Sequence, residues 1–332
     1  MDAYDVTRIF EVIRIDLVDP QFLIENVVFS ELICGNKSVQ QMIKNVRRSE
    51  DLTTGCASRY VFELHHNKTS LLSCFTPEGT REDVPPAPVD PGYCYSAASL
   101  GNKIYITGGG SRRKCTLVYD VCRRQWETGP ELEEEHYYHC MATANSKVYA
   151  IGGKYSNTIE EMSESGTRWQ VVGDLKQKRE FAFAATVKHN ILVMGGRSRG
   201  SGSDVIQCFS TATRCLSNLS ARLPCHSMCL RGSVHLLDLY LLDNDGNVMH
   251  VQVTDSDGEI KIQVMSTTKW RSFKYWFGVS WQNGSLLFFS GFDTNCVITK
   301  YNLGEGKEEN ITVPQSTRIG RVYDVLPVYH KA

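Results

Sequence analysis

Short stretches of alternating apolar and polar residues, divided by turn residues, run through most of the chain after residue 50. Between Tyr93 and Pro130 this alternation predicts four strands, with Gly101 and Asn102 as the first turn. The predicted strands are 93–100, 103–107, 115–120 and 125–128. The stretch therefore predicts one small antiparallel sheet.

The same pattern recurs at a nearly constant period. The segment Ile104–Gly109 (IYITGG) returns as Val148–Gly153 (VYAIGG) and again as Ile191–Gly196 (ILVMGG). Repeats of this length indicate a repeat architecture, and four-stranded sheets must stack side by side to bury their faces. Counting weaker copies, the spacing predicts an all-β, six-bladed β-propeller. The weaker copies are Tyr60–Leu64, Val234–Leu239 and Leu287–Phe292.

The first repeat lacks its first strand, because it begins near Arg59 on its second. We expect its missing partner to be the terminal segment Arg318–Val328, which would pair with the segment after Arg59 and close the ring.

The residues before about Arg48 follow a helical period instead. Val39, Met42, Ile43 and Val46 fall at i, i+3, i+4 and i+7. We therefore expect two regions, a short α-helical segment over 1–50 and the propeller over 51–332.

Charge and composition narrow the function classes. With 36 Lys and Arg against 37 Asp and Glu, the formal charge is −1, so no global field attracts nucleic acid or an anionic membrane. The start of the chain lacks a signal-peptide pattern and the 12 cysteines are scattered singly. We expect a cytoplasmic protein with free thiols.

The blade landmarks resemble the Kelch motif: a double glycine ends the second strand, Tyr119 ends the third, and Trp126 and Trp169 lie on the fourth. The stretch Val12–Leu23 resembles the distal half of a BACK domain. The chain thus resembles the C-terminal portion of BTB-BACK-Kelch (Kelch-like) proteins. The BTB domain and proximal BACK half are missing from it, so we expect a fragment, a short isoform or a start assigned too late.

This resemblance implies the substrate-recognition subunit of a cullin-3 RING ubiquitin ligase, in which the propeller binds a protein substrate. Cullin would be a partner only of a longer product that carries a BTB domain. The alternative is a cytoskeletal, actin-binding Kelch scaffold without a ubiquitin role.

In an antiparallel blade, the loop after strand two and the loop after strand four lie on the same face. On this loop face, arginines and lysines alternate with aromatic residues, a chemistry suited to an acidic or aromatic peptide. The expected partner-binding residues are Arg112, Arg113, Lys114, His136, Tyr137, Tyr138, Lys154, Tyr155, Arg179, Phe181, Arg197, Arg199, Trp270, Arg271, Phe273, Lys274, Tyr275 and Arg318. An acidic run, Glu131–Glu135, could instead bind a basic partner or pair with Arg112 and Arg113.

The sequence predicts no phosphate-binding, metal-binding or catalytic site. The Gly195–Gly202 run lacks a following Gly-Lys-Ser/Thr and reads as a flexible blade loop, and Asp243–Asn247 reads as a hairpin turn rather than a calcium loop. Neither Cys225–Cys229 nor His136–Cys140 shows paired Cys-x-x-Cys zinc knuckles. We expect no enzymatic activity, cofactor, metal or small-molecule substrate, although residues converging from several blades could hide a catalytic site.

Overall fold

The computed structural model describes residues 58–66, 69–76, 80–163, 165–235, 238–256, 259–272, 276–282, 285–290, 297–311 and 321–330. The helical segment expected over 1–50 lies outside the described residues, so the division into two regions stays a prediction.

Within that part of the chain the structure is all-β, with strands β1–β25 arranged in six antiparallel sheets. The prediction of a six-bladed propeller is confirmed. Blade 1 contains β1 (Ser58–His66), β2 (Leu72–Phe75), β3 (Arg81–Asp83) and the terminal β25 (Arg321–His330). Blade 2 contains β4 (Ser96–Leu100), β5 (Lys103–Thr107), β6 (Thr116–Asp120) and β7 (Gln125–Thr128). Blade 3 contains β8 (Cys140–Ala144), β9 (Lys147–Ile151), β10 (Thr158–Met162) and β11 (Trp169–Asp174).

Blades 4 and 5 carry longer outer strands, and blade 4 has an extra strand. Blade 4 contains β12 (Phe183–Val187), β13 (Asn190–Met194), β14 (Arg197–Ser198), β15 (Ser201–Ser210) and β16 (Leu216–Ser227). Blade 5 contains β17 (Leu230–His235), β18 (Asp238–Asp243), β19 (Asn247–Ser256) and β20 (Glu259–Lys269). Blade 6 contains β21 (Gly278–Gln282), β22 (Ser285–Ser290), β23 (Val297–Asn302) and β24 (Lys307–Ile311).

The loop after Gly195 and Gly196 differs from its expectation. β14 pairs with the start of β15, with Arg197 opposite Gly202 and Ser198 opposite Ser201. The glycine-rich run, expected to be a flexible blade loop, forms a short hairpin, because Arg199 and Gly200 both adopt positive φ at its tip.

The ring closes at blade 1, as the sequence predicts. β25 pairs antiparallel with β1, placing Leu326 opposite Phe62 and Val328 opposite Tyr60. The Tyr323 hydroxyl also donates to the Tyr95 carbonyl oxygen of blade 2 at 3.0 Å. The two ends of the propeller segment thus share one sheet, which removes the open edge that β1 would otherwise present.

The core is divided among the six junctions between neighbouring blades. Each hydrophobic cluster draws most of its residues from two successive blades, and one cluster joins blade 6 to blade 1. Trp169 shows the arrangement: it is 1% exposed, lies between blades 2 and 3, and donates its indole N–H to Thr116 Oγ1 at 2.9 Å. Interblade packing, rather than a single central core, holds the propeller together.

The double glycines let the interblade loops cross close to the blades. Gly153 has φ +114°, and a Cβ there would lie 2.5 Å from the Tyr137 carbonyl oxygen. Its amide donates to the Arg179 carbonyl oxygen at 3.0 Å. Only glycine can adopt this backbone conformation and also lie so close to the Tyr137 carbonyl oxygen. As a result, the loop before blade 3 and the loop before blade 4 both contact the turn at Gly153.

Candidate partner-binding surface

Backbone hydrogen bonds join the predicted loops on one face of the propeller. Lys154 N donates to Tyr137 O at 2.8 Å, and Phe181 N donates to Tyr138 O at 2.9 Å. Gly109 N donates to His136 O at 3.2 Å. The loops after the second strands therefore contact the loops between blades, as strand alternation predicts.

An aromatic ridge crosses this face from blade 2 to blade 4. It consists of Tyr93, Tyr137, Tyr138, Tyr155 and Phe181. Ring centroids are 5.5 Å apart for Tyr93–Tyr137, 3.9 Å for Tyr137–Tyr138, 5.9 Å for Tyr137–Tyr155 and 4.2 Å for Tyr138–Phe181. Tyr93 and Tyr155 remain 42% and 39% exposed, whereas Tyr137 and Phe181 are buried beneath them. Burial raises the pKa of Tyr138 to about 12, so its phenol stays protonated.

The arginines next to the ridge are already paired. Arg113 Nη1 lies 2.8 Å from Glu135 Oε2, and its guanidinium lies 4.1 Å from the centre of the Tyr155 ring. Arg197 Nη2 lies 2.6 Å from Glu180 Oε2. The sequence left the pairing of the acidic run open, and the structure pairs Glu135 with Arg113. These arginines position aromatic rings more than they supply free charge.

Exposed lysines beside the ridge carry charge that is not neutralised. Lys154 lies 5.7 Å from the Tyr155 ring centre, and Lys176 and Lys178 lie in the adjacent interblade loop. Among the described residues, no carboxylate oxygen lies within 4.0 Å of these ammonium groups. Arg112 and Arg199 are likewise exposed without such a partner in the part of the chain that the structure describes, whereas Lys114 donates to the Glu133 carbonyl oxygen.

The sequence prediction omitted Lys176 and Lys178. Both lie in the run Leu175-Lys-Gln-Lys-Arg, one interblade loop of the same period, and the period alone places them on the loop face. It named Arg179 from this run instead.

Arg179 is 1% exposed and turns inward. Its Nη1 donates to the carbonyl oxygens of Val193 at 3.3 Å and Val205 at 3.1 Å, and burial lowers its pKa. His136 is also fully buried. In this structure Arg179 and His136, like the buried rings of Tyr137 and Phe181, support the surface from below rather than facing a partner.

Two further predicted residues lie at the junction of blades 5 and 6. The Trp270 ring stacks on Tyr301 with centroids 4.9 Å apart, and its Nε1 donates to Glu308 Oε2 at 2.7 Å. Arg271 is exposed and lies over the Trp270 ring at 5.1 Å. Phe273, Lys274, Tyr275 and Arg318 lie outside the described residues, so their roles remain predictions.

The central channel contains an ion pair at a cavity of about 230 Å³ lined by the innermost strands. Arg231 Nε lies 3.2 Å from Asp324 Oδ2, and it joins blade 5 to the ring-closing strand. Burial raises the pKa of the nearby Cys229 to about 11, which keeps this thiol protonated at neutral pH.

The motifs considered for metal binding have structural partners. Asp243 Oδ1 accepts the amides of Asp245 at 3.0 Å and Asn247 at 2.8 Å, which is the expected hairpin turn. Cys225 Sγ donates to Asp243 Oδ2. Among the residues that the structure describes, no three His, Cys, Asp or Glu side chains are grouped so as to hold a metal ion. The same residues include no helix long and apolar enough to cross a membrane.

Comparison with known proteins agrees with this architecture. A Kelch motif matches residues 91–133. Kelch-like protein 35 from Homo sapiens is 23% identical over 232 residues, covering 60% of this chain and 39% of that protein. Kelch repeat and BTB domain-containing protein 12 from Homo sapiens is 27% identical over 122 residues, covering 31% of this chain and 20% of that protein. The chain thus spans about two fifths or less of the length of these relatives.

A solved structure supports the fold. The structure of YjhT superimposes with a TM-score of 0.59 at 13% identity, covering 74% of this chain and 90% of that one.

Proposed function

We propose that this chain, a Kelch-repeat propeller similar to the Kelch-like proteins, captures an acidic segment of a partner protein on its loop face. The site consists of the exposed rings of Tyr93 and Tyr155 with the lysines Lys154, Lys176 and Lys178. The observation that carries the proposal is the juxtaposition of exposed aromatic area and uncompensated positive charge at blade 3.

Each component has a defined task in this proposal. The tyrosine rings supply rigid contact area at low cost in conformational entropy, because the neighbouring rings and Arg113 already hold them. The lysines attract carboxylates and set the orientation of the segment. Since the whole chain carries a formal charge of only −1, this attraction is local and weakens with salt.

We further propose that the propeller acts in a longer protein as the substrate-recognition subunit of a cullin-3 RING ubiquitin ligase. The similarity to Kelch-like proteins and to a Kelch repeat and BTB domain-containing protein supports this role. Cullin would then be bound by the BTB domain and the substrate by the loop face.

The loop-face proposal is tested by charge reversal. The triple variant K154E/K176E/K178E should lose binding to a labelled peptide of Gly-Glu-Tyr repeats and should lose most proteins captured from a lysate by the wild-type chain. The matched control is K103E/K188E/K261E, which makes the same change in charge at or beside the hairpin turns on the opposite face. Equal binding by the two triple variants, or equal binding of a Gly-Lys-Tyr peptide, would contradict the proposal.

The ligase role is tested separately. A longer product with an upstream BTB domain should retain cullin, whereas this chain should not. Cullin retained by neither would refute the ligase role. Co-sedimentation with actin filaments in the same samples would favour a cytoskeletal scaffold instead.

A further inference from the structure

The loop between β7 and β8 carries the acidic run and both central tyrosines of the ridge, and a buried carboxylate holds it in place. Glu160 Oε2 accepts the Glu133 amide at 2.7 Å, and Glu160 Oε1 accepts the Glu134 amide at 2.8 Å. Glu160 lies on β10 inside blade 3 and is fully buried. The path of this loop is therefore fixed from within the neighbouring blade.

His136 completes the attachment from the same loop. Its Nε2 lies 3.0 Å from Glu160 Oε1, and its Nδ1 lies 2.8 Å from the Gly152 carbonyl oxygen. Both side chains are 0% exposed. One ring thus links the loop to a carboxylate on one side and to the double-glycine turn on the other.

The two partners of the ring fix its protonation. A carbonyl oxygen can only accept, so Nδ1 must carry a proton, and an ionised carboxylate can only accept, so Nε2 must carry one too. Two protonation forms satisfy these hydrogen bonds. In one, a doubly protonated His136 ring lies beside an ionised Glu160, and in the other the Nε2 proton has moved to Glu160, which then donates to Nε2. In both forms the pair holds one proton more than a neutral ring beside a carboxylate.

We propose that His136 and Glu160 form a proton-dependent clamp that positions the aromatic ridge and makes partner binding sensitive to pH. This inference rests on the proposed function of the loop face. His136 and Glu160 are positioning residues in it, because they act through Tyr137, Tyr138 and the Arg113–Glu135 pair rather than by touching a partner.

Among the described residues, the contacts of the pair include no second cation that could replace the proton. The nearest titratable ring, His139, has its centroid 5.2 Å from that of His136, and burial together with the neighbouring His136 lowers its pKa so that it is neutral. From β10, Thr158 Oγ1 lies 3.4 Å from His136 Nε2 and is itself hydrogen-bonded to Ser156. From blade 2, the Arg113 carbonyl oxygen accepts the His136 amide at 2.9 Å, and the Gly109 amide donates to the His136 carbonyl oxygen at 3.2 Å. The Arg113 guanidinium is paired with Glu135.

The direction of the pH effect follows from these contacts. Loss of the proton turns the Nε2 lone pair toward Glu160 Oε1, so the clamp weakens as the pH rises. Partner binding should therefore be favoured at mildly acidic over alkaline pH.

Amide exchange tests the clamp without any partner. The Glu133 and Glu134 amides donate to Glu160, so their protection factors, corrected for intrinsic exchange, should be lower at alkaline than at mildly acidic pH. The fall should be up to about tenfold per pH unit for one linked proton. In H136Q, whose side chain does not titrate, the protection should be independent of pH. Unchanged protection in the wild type, or the same pH dependence in H136Q, would overturn the proposal.

Two further measurements separate the possible failures. NMR of the unmodified chain at mildly acidic pH should show either protons on both ring nitrogens of His136 or a singly protonated ring beside a protonated Glu160. A singly protonated ring beside an ionised Glu160 would overturn the clamp. Binding of the Gly-Glu-Tyr peptide should weaken at about pH 8.5 in the wild type and not in H136Q. If exchange follows the prediction but the peptide does not bind at any pH, the clamp stands and the proposed function fails.

Discussion

Trp169 and Trp126 occupy the same position in neighbouring blades, yet the structure predicts that their removal has different consequences. Trp169 is 1% exposed within the cluster between blades 2 and 3, whereas Trp126 is only partly buried between blades 1 and 2. Each indole N–H has a partner: Thr116 Oγ1 at 2.9 Å for Trp169 and the Pro85 carbonyl oxygen at 2.6 Å for Trp126.

The expected magnitudes follow from burial. W169A should lower the free energy of unfolding by about 3–5 kcal/mol, because it leaves a cavity between two blades that cannot both collapse onto it. W169F retains most of the ring packing but removes the donor from the buried Thr116 hydroxyl, so it should cost about 1–3 kcal/mol. W126A should cost about 2 kcal/mol, because less apolar area leaves the core.

Urea unfolding followed by circular dichroism measures these differences in the free energy of unfolding. An unchanged slope of this free energy against urea concentration shows that a variant exposes the same surface on unfolding as the wild type. The reasoning is refuted if W126A is as destabilising as W169A, or if W169A costs less than about 1 kcal/mol. Either result would mean that the interblade clusters do not govern the stability of the ring.

Three other predictions follow from single sites. Gly152→Val should destabilise the chain more than Gly166→Val in the same urea assay. Both glycines have positive φ, but a Cβ at Gly152 would lie 2.7 Å from Leu175 Cδ1, whereas a Cβ at Gly166 would meet nothing within 4 Å. Equal losses of stability would show that backbone strain alone matters. Cys229 is buried and burial raises its pKa to about 11, so it should resist iodoacetamide in the folded chain at about pH 8. The exposed Cys122 should be alkylated under the same conditions, as mass spectrometry of the peptides would show. Equal labelling of the two thiols would contradict the burial of Cys229. Burial acts to raise the pKa of Glu161, but hydrogen bonds from Lys147, Tyr149 and Gln170 outweigh it and leave the pKa below its ordinary value. Ionised Glu161 therefore stabilises the fold above its unfolded-state pKa, and this stabilisation is lost as the pH falls through the lowered folded-state pKa. Glu161→Gln should make the free energy of unfolding less dependent on pH in acid, whereas substitution of the exposed Glu127 by Gln should not.

The architecture could be predicted from the sequence because it depends on local, repeated signals. Alternation gives the strands of blade 2 within a few residues, the period of the Gly-Gly segments counts the blades, and the unpaired start near Arg59 predicts the partner strand at the other end. Each of these signals acts over a few residues or recurs along the chain, so no knowledge of long-range contacts is needed.

The partner surface could be predicted only as a set of loops. Strand alternation places Arg113, Arg179 and Lys154 on one face, but it cannot say which side chains stay exposed. Arg113 lies over Tyr155 and pairs with Glu135, whereas Arg179 turns into the junction of blades 3 and 4 and binds carbonyl oxygens there. Side-chain direction in a loop depends on contacts with other blades that are distant in sequence.

By itself, the order of residues determined the number of sheets, their strands and the closure of the ring, because hydrophobic alternation and turn chemistry are local properties. Only the tertiary structure decided that Glu160 receives the loop of Glu133 and Glu134, and that His136 is buried between Glu160 and Gly152. These groups come from an interblade loop and from blade 3, and they meet only in the folded chain. The free energy of burying a charged pair depends on that meeting, which the sequence pattern does not encode.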